Sequence, residues 1–332
     1  MLQGLISRAR SGDRAVEAGA QPGNRTSARP SIGLAMGGGA ARGFAHIGIL
    51  QTLLAHGLKP DVITATSMGA VVGGCYAAGQ LDPFIEWALG LTRKRVLRYL
   101  DFSLSGSSLI NGMRLARHLE DTLGRTKIEA LATRFAAIAT EIDTGHEVWL
   151  TRGRLVEALR ASYALPGVFA PVQVGRRWLV DGALVNPVPV SAARALDARV
   201  VIAVNLNVDL LGRGATIASY GFEEEEAPAP PVEHTQRNWR ERISVEKLLK
   251  RQFLGAEGRP GLPTVMIEAY NVMQDRITRA RLAGDPADVM ISPRLGAIGM
   301  FDFHRAEEAI RIGAEAAQRA LPNIEEVIET LG

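Results

Sequence analysis

The chain has 332 residues, 47% hydrophobic and 22% charged, a globular composition that excludes a fibrous or disordered polymer. Lys plus Arg is 38 against 35 for Asp plus Glu, a formal net charge of +3, too nearly balanced to point to nucleic acid. Cys75 is the single cysteine, so neither an internal disulfide nor a site of several thiolates is available.

In chain order, residues 1–30 carry Arg8, Arg10, Arg14, Arg25 and Arg29 among Gly, Ser, Gln and Pro, with no apolar core. They read as a mobile tail rather than a secretory signal, the sharper alternative being an amphipathic targeting peptide. Segment 31–36 is short, apolar and followed at once by glycines, which predicts a buried strand. Over 44–54, Phe44, Ile47, Leu50 and Leu54 recur at helical spacing, and Gly57 supplies a stop. Segment 61–65 predicts a second strand, and 67–78 a helix of small residues able to pack close to a sheet. Segments 134–141 and 147–150 predict two strands joined by a turn at Asp143-Thr144-Gly145. A helix is expected over 155–161, a strand over 178–180 ended by Asp181-Gly182, a valine-rich buried strand over 198–204, and a last helix over 306–319. Strands alternating with helices predict a layered α/β domain over 31–325 with a parallel or mixed sheet.

Residues 209–262 interrupt that rhythm. Glu223 to Glu226 form an acidic run, Pro228, Pro230 and Pro231 follow, and Gly255, Gly258, Pro260, Gly261 and Pro263 close the stretch. It reads as a partly disordered insertion. Inside it, 239–254 fits an amphipathic helix with Arg240, Arg242, Lys247, Lys250 and Arg251 against Val245, Leu248, Leu249 and Phe253. One reading packs this helix on the domain; the other lays it on an anionic membrane surface. No run reaches the roughly 20 apolar residues of a membrane-spanning helix; a cytoplasmic chain is expected, with 239–254 the candidate for peripheral membrane contact if its second reading holds.

Three short signals carry chemistry. The first is Gly37-Gly38-Gly39-Ala40-Ala41-Arg42-Gly43, between a strand and a helix. Such a loop aims backbone N–H groups at one point beside the positive end of a helix dipole and binds an anion there. A phosphate-cradling P-loop needs Lys then Ser or Thr after its last glycine, where Phe44-Ala45 stand; the dinucleotide fingerprint needs glycine at Arg42. An oxyanion formed during acyl transfer remains, with a tight structural turn as the alternative. The second signal is Ala65-Thr66-Ser67-Met68-Gly69, a serine on a strand-to-helix elbow with alanine where glycine is usual. The third is Asp181-Gly182-Ala183, a carboxylate at a strand end and so at the edge where α/β sheets build their sites.

These residues resemble the patatin-like phospholipase family, in particular its bacterial, neuropathy-target-esterase-like branch. Arg160-Ala161-Ser162 through Pro166-Gly167-Val168-Phe169 and Ile277-Thr278-Arg279-Ala280-Arg281 look alike too. The resemblance covers about 31–320 apart from the insertion. It implies a three-layer α/β/α sandwich with a mostly parallel central sheet. It further implies Ser67 as nucleophile, Asp181 as its partner in a dyad, and Gly37, Gly38, Gly39 and Ala40 as the oxyanion hole. Arg42 would brace the loop or meet a lipid phosphate. The implied activity is hydrolysis of carboxylic esters of phospholipids or lysophospholipids, with no cofactor or metal and no nucleic acid partner.

The alternatives are a carboxylesterase acting on soluble esters and a non-catalytic lipid-binding module. Met68, Val71, Leu109, Met113, Leu165 and Phe169 are candidate walls of an acyl channel, and His46 is placed to line the site. The order Ser67, Asp181, His304 also fits a hydrolase triad. His304, at the start of a helix in Asp302-Phe303-His304-Arg305, is expected to be a surface or packing residue instead.

Overall fold

In a computed structural model of the chain, residues 29–99, 113–209 and 261–331 are described. Most of the expected tail, and most of the expected insertion with its helix at 239–254, lie outside them. β1 (Ile32–Met36) is buried along its whole length and leads through a 3₁₀ turn, Ala40–Phe44, into α1 (Ala45–Ala55). β2 (Val62–Thr66), equally buried, leads into α2 (Met68–Ala77). Then come α3 (Leu81–Leu89), α4 (Arg93–Tyr99), α5 (Met113–Leu123), β3 (Arg134–Glu141), β4 (Glu147–Leu150) and α6 (Leu155–Ser162). β5 (Val172–Val174), β6 (Arg177–Asp181), α7 (Val190–Ala195) and β7 (Val200–Val204) follow. The described chain closes with α8 (Leu262–Gly284), β8 (Val289–Ile291) and α9 (Ala306–Leu331).

β8, β7, β1, β2 and β3 are parallel neighbours, and β4, β5 and β6 extend the sheet in antiparallel sense. The alternation along β1 divides the core. Ile32, Leu34 and Met36 point into the larger apolar cluster, with Ile47 and Leu50 of α1, Val72 of α2, Leu155 and Leu159 of α6 and Ala316 of α9. Ala35 points to the other face, into a smaller cluster with Val190 and Ala193 of α7. Helices on both faces of one sheet make the three-layer α/β/α sandwich.

α1 and α9 cross at glycines. A Cβ on Gly48 would strike the Ile310 carbonyl, and one on Gly313 the Ala45 carbonyl, so the two backbones are as close as they can come. α9 continues past the expected end at 319 and holds Pro322 inside it. Leu321 and Ile324, on either side of that proline, are buried in the main core, and this burial outweighs the hydrogen bond that the proline removes. α8, which the sequence patterning does not predict, begins with Pro263 in its first turn; there a proline starts a helix instead of breaking it.

Candidate active site

The strand β3 brings the serine elbow and the strand-end carboxylate together. Along one edge it pairs with β4 over Ala137–Thr140. Along the other it pairs first with β2, Thr66 lying opposite Ile138, and then with β6, Asp181 lying opposite Ala139. Ser67 follows Thr66 directly, so consecutive positions of one strand place both groups side by side. The Ser67 Oγ donates to Asp181 Oδ2 at 2.7 Å.

Ser67 has φ 56° and ψ −124°, a left-handed backbone rare for a residue with a side chain. The neighbours hold the strain. The Ser67 N–H donates to Ser162 Oγ at 2.9 Å, and the Thr66 hydroxyl donates to the Asn186 carbonyl at 2.8 Å. Gly69 lets α2 leave so sharply, since a Cβ there would lie 2.5 Å from the Met36 carbonyl oxygen. Ala65, which departs from the usual elbow pattern, is fully buried in the main core, where its methyl is accommodated.

Asp181 is 1% exposed. Its Oδ1 accepts the Ala183 N–H at 2.8 Å, which leaves Oδ2 facing Ser67, and the Tyr270 hydroxyl is a further hydrogen-bond partner. Burial raises its carboxyl from 3.8 to about 6, against the opposing pull of the bonds from Ala183, Ser67 and Tyr270. Gly182 allows the turn to press on β3, because a Cβ would strike the Ile138 carbonyl.

The glycine loop splits into two parts. The Gly37 and Gly38 amides already donate to the Val204 and Pro187 carbonyls, both at 3.1 Å. Gly39 and Ala40 line the cleft with Ser67, and their amides have no partner among the described residues. Arg42 is buried. Its Nε donates to the Gly39 carbonyl at 3.3 Å and its guanidinium reaches Asn271 Oδ1 at 3.5 Å. Burial lowers its pKa to about 10, against the attraction of Asp209 and Glu268. These bonds tie the guanidinium to the loop and to α8.

The cleft above Ser67 opens to solvent and, its open mouth included, spans about 610 Å³. Its walls are mainly apolar and include Met68, Tyr163, Leu165, Phe169, Met300 and Phe303. Of the expected wall residues, Met68, Leu165 and Phe169 stand there; Val71 is instead fully buried in the core. Leu109 and the Met113 side chain lie outside the described residues. His46 does not line the cleft. It is fully buried, its Nε2 lies 2.7 Å from the Gly37 carbonyl, and burial lowers its pKa to about 4. His304 accepts from Arg93 Nε at 3.1 Å, and no described bond links it to Asp181. Ser162, Asn207, Tyr270 and Gln274 were not anticipated as site residues. Their signal is spatial, because each comes from a segment far from Ser67 in sequence.

A profile of the family described as patatin-like phospholipase matches residues 34–194. An uncharacterized NTE family protein of Mycobacterium tuberculosis is 34% identical over 338 residues, covering 91% of this chain and 94% of that protein. The chain belongs to the NTE family of patatin-like phospholipases. A lysophospholipase of Debaryomyces hansenii is 25% identical over 303 residues, covering 89% of this chain but 18% of that protein. VipD from Legionella pneumophila superposes with a TM-score of 0.43 at 10% identity, over 92% of this chain and 67% of that one. Membership supports lipid ester hydrolysis. No helix among the described residues is long and apolar enough to cross a membrane.

Proposed function

We propose that the chain is a serine acylhydrolase that cleaves carboxylic ester bonds of phospholipids or lysophospholipids through a Ser67–Asp181 dyad. The supporting observation is the 2.7 Å bond from the Ser67 hydroxyl to a buried carboxylate at the floor of an apolar cleft. Asp181 takes the Ser67 proton as Oγ attacks the ester carbonyl carbon, and the carbonyl π electrons move onto oxygen. The Gly39 and Ala40 amides receive that oxyanion, beside the α1 N-terminus. Collapse expels the alcohol, which leaves with the proton from Asp181, and an acyl-enzyme remains. Water attacks it with Asp181 again as base, the acyl–Oγ bond breaks, Asp181 returns the proton to Ser67 Oγ, and the fatty acid departs. A carboxyl raised to about 6 is a stronger base than an exposed aspartate and is still ionised at neutral pH.

The apolar walls suit an acyl chain better than a polar acid. The basic stretch 239–254 is proposed to rest on anionic lipid. The experiment is labelling with a fluorophosphonate, mapping of the labelled peptide, and an ester panel of increasing chain length. Labelling at Ser67 with a preference for long acyl chains is expected. Absence of labelling in folded protein would refute the hydrolase reading, and turnover confined to short soluble esters would refute the lipid substrate.

A further inference from the structure

We propose that Asn207 is a positioning residue for the oxyanion loop, tied through Gln274 and Tyr270 to the Asp181 carboxylate. The inference rests on the acylhydrolase reading and goes beyond the dyad itself.

The geometry of the peptide plane comes first. In a trans peptide the C=O of one residue and the N–H of the next point in opposite directions. A donor that captures the Gly38 carbonyl therefore sets the direction of the Gly39 N–H, and one that captures the Gly39 carbonyl sets that of Ala40. Arg42 holds the Gly39 carbonyl at 3.3 Å. Asn207 holds the other, its Nδ2 donating to the Gly38 carbonyl at 3.4 Å. Asn207 is not among the residues lining the cleft, whereas Gly39 is. The Gly39 N–H is thus turned away from Asn207.

The second amide hydrogen of Asn207 goes to Gln274 Oε1 at 2.9 Å. Gln274 in turn meets the Tyr270 hydroxyl, and Tyr270 meets the Asp181 carboxyl. Asn207, Gln274 and Tyr270 are all more than nine-tenths buried. One chain of polar contacts inside the protein therefore runs from the base to the loop that receives the anion. Its members come from the segment after β7 and from α8, neither of which carries the dyad. Asn207 is fixed from its own backbone too, its N–H donating to Asn205 Oδ1 at 3.0 Å.

An argument from cost supports the role. The Asn207 Oδ1 is buried with no partner among the described residues. A buried acceptor left unpaired destabilises a fold, yet an apolar residue of similar size would leave two unpaired, the Gly38 carbonyl and Gln274 Oε1. What that residue would lose is the Nδ2 pair of bonds. A local rule broken in this way is expected where a site is served.

The test compares Asn207→Leu, Gln274→Met and the unaltered chain on a soluble chromogenic ester, with active sites titrated by fluorophosphonate. In Asn207→Leu, kcat per titrated site is expected to fall about 10- to 100-fold, less than full loss of an oxyanion donor, with KM within about twofold. Gln274→Met, which frees the far side of Asn207, is expected to move kcat per site in the same direction by less. A merely structural residue would lower the number of titrated sites and leave turnover per site unchanged; that result in both variants overturns the proposal. So does a rise in KM at constant kcat. If Asn207→Leu fails to fold, Gln274→Met decides by the same criterion. An unaltered, folded chain that takes no label and hydrolyses no ester defeats the acylhydrolase reading, and this inference with it.

Discussion

Lowering the pH tests the assignment of Asp181 as the base. Only the ionised carboxylate can take the Ser67 proton, and burial has pushed this carboxyl up to about 6. The ionised fraction is then about nine tenths at pH 7 and about one eleventh at pH 5, so kcat/KM falls roughly tenfold between them and about tenfold for each unit below. The other titratable groups lining the cleft are Tyr270 from α8, Tyr163 after α6 and Arg42 from the loop. Burial raises both phenols, and Arg42 is lowered only to about 10. Asp209 and Glu268 face Arg42 from the segment after β7 and from α8. His46, at about 4, lies too low to produce the limb. The assay is kcat/KM from pH 4.5 to 9 on a soluble ester, run on the unaltered chain and on His304→Ala. A midpoint near 4, or a limb that disappears with His304, refutes the reasoning. The same shift has a consequence for stability. A carboxyl whose folded pKa lies above its unfolded value favours the fold while protonated, and that contribution is lost as the pH rises from about 4 through 6. About two units correspond to about 3 kcal/mol. Asp181→Asn is therefore expected to melt several degrees higher than the unaltered chain at pH 8, with the gap shrinking by pH 4.

The remaining predictions address separate parts of the molecule. Ser67→Ala is expected to abolish fluorophosphonate labelling and lower ester turnover by at least about 10⁴-fold, while His304→Ala keeps most of it; both are read by steady-state kinetics on folded protein. Gly313→Ala forces a methyl toward the Ala45 carbonyl where α1 and α9 cross, so a loss of about 1–3 kcal/mol in urea unfolding is expected, with little change in kcat. Deleting 239–254 is expected to weaken binding to anionic vesicles in a sedimentation assay and to spare turnover of soluble esters; unchanged vesicle binding would remove the membrane role.

Much of the sheet was legible because its strands are buried on both faces, and such strands show as short apolar runs beside glycines. Segment 134–141 matches β3, and 155–161 comes within a residue of α6. The helices away from the sheet were less visible. α8 carries Val265, Met266, Val272 and Met273 exposed, which blurs the division into a wet and a dry face that periodicity depends on. The spacing also says where Ser67 and Asp181 stand in local structure, but not that they meet. That follows from the register along β3, a long-range property. Tyr270, Gln274 and Asn207 were illegible for the same reason, since a buried polar contact leaves no trace in composition or period. The oxyanion loop was read as four equivalent donors, Gly37 to Ala40. Two of those amides are spoken for, Gly37 by Val204 at the end of β7 and Gly38 by Pro187 before α7, a division that only the folded chain reveals.

Exclusion of water ties these features into one physical cause. In the proposed mechanism, the burial that raises the Asp181 carboxyl would also remove competitors for the Ser67 proton and strengthen every dipole aimed at the oxyanion. It does so at a cost in stability, because a carboxylate charged at neutral pH is held 1% exposed. The sheet absorbs that cost by surrounding the site with its most regular part. β1 and β2, which carry the loop and the elbow, are the central strands, and both are wholly buried. The glycine loop and the strained serine are therefore attached to the elements least able to relax, while Asp181 ends β6 and is held beside them by the pairing of β6 with β3, so the geometry that the proposed acyl transfer needs persists before any substrate binds.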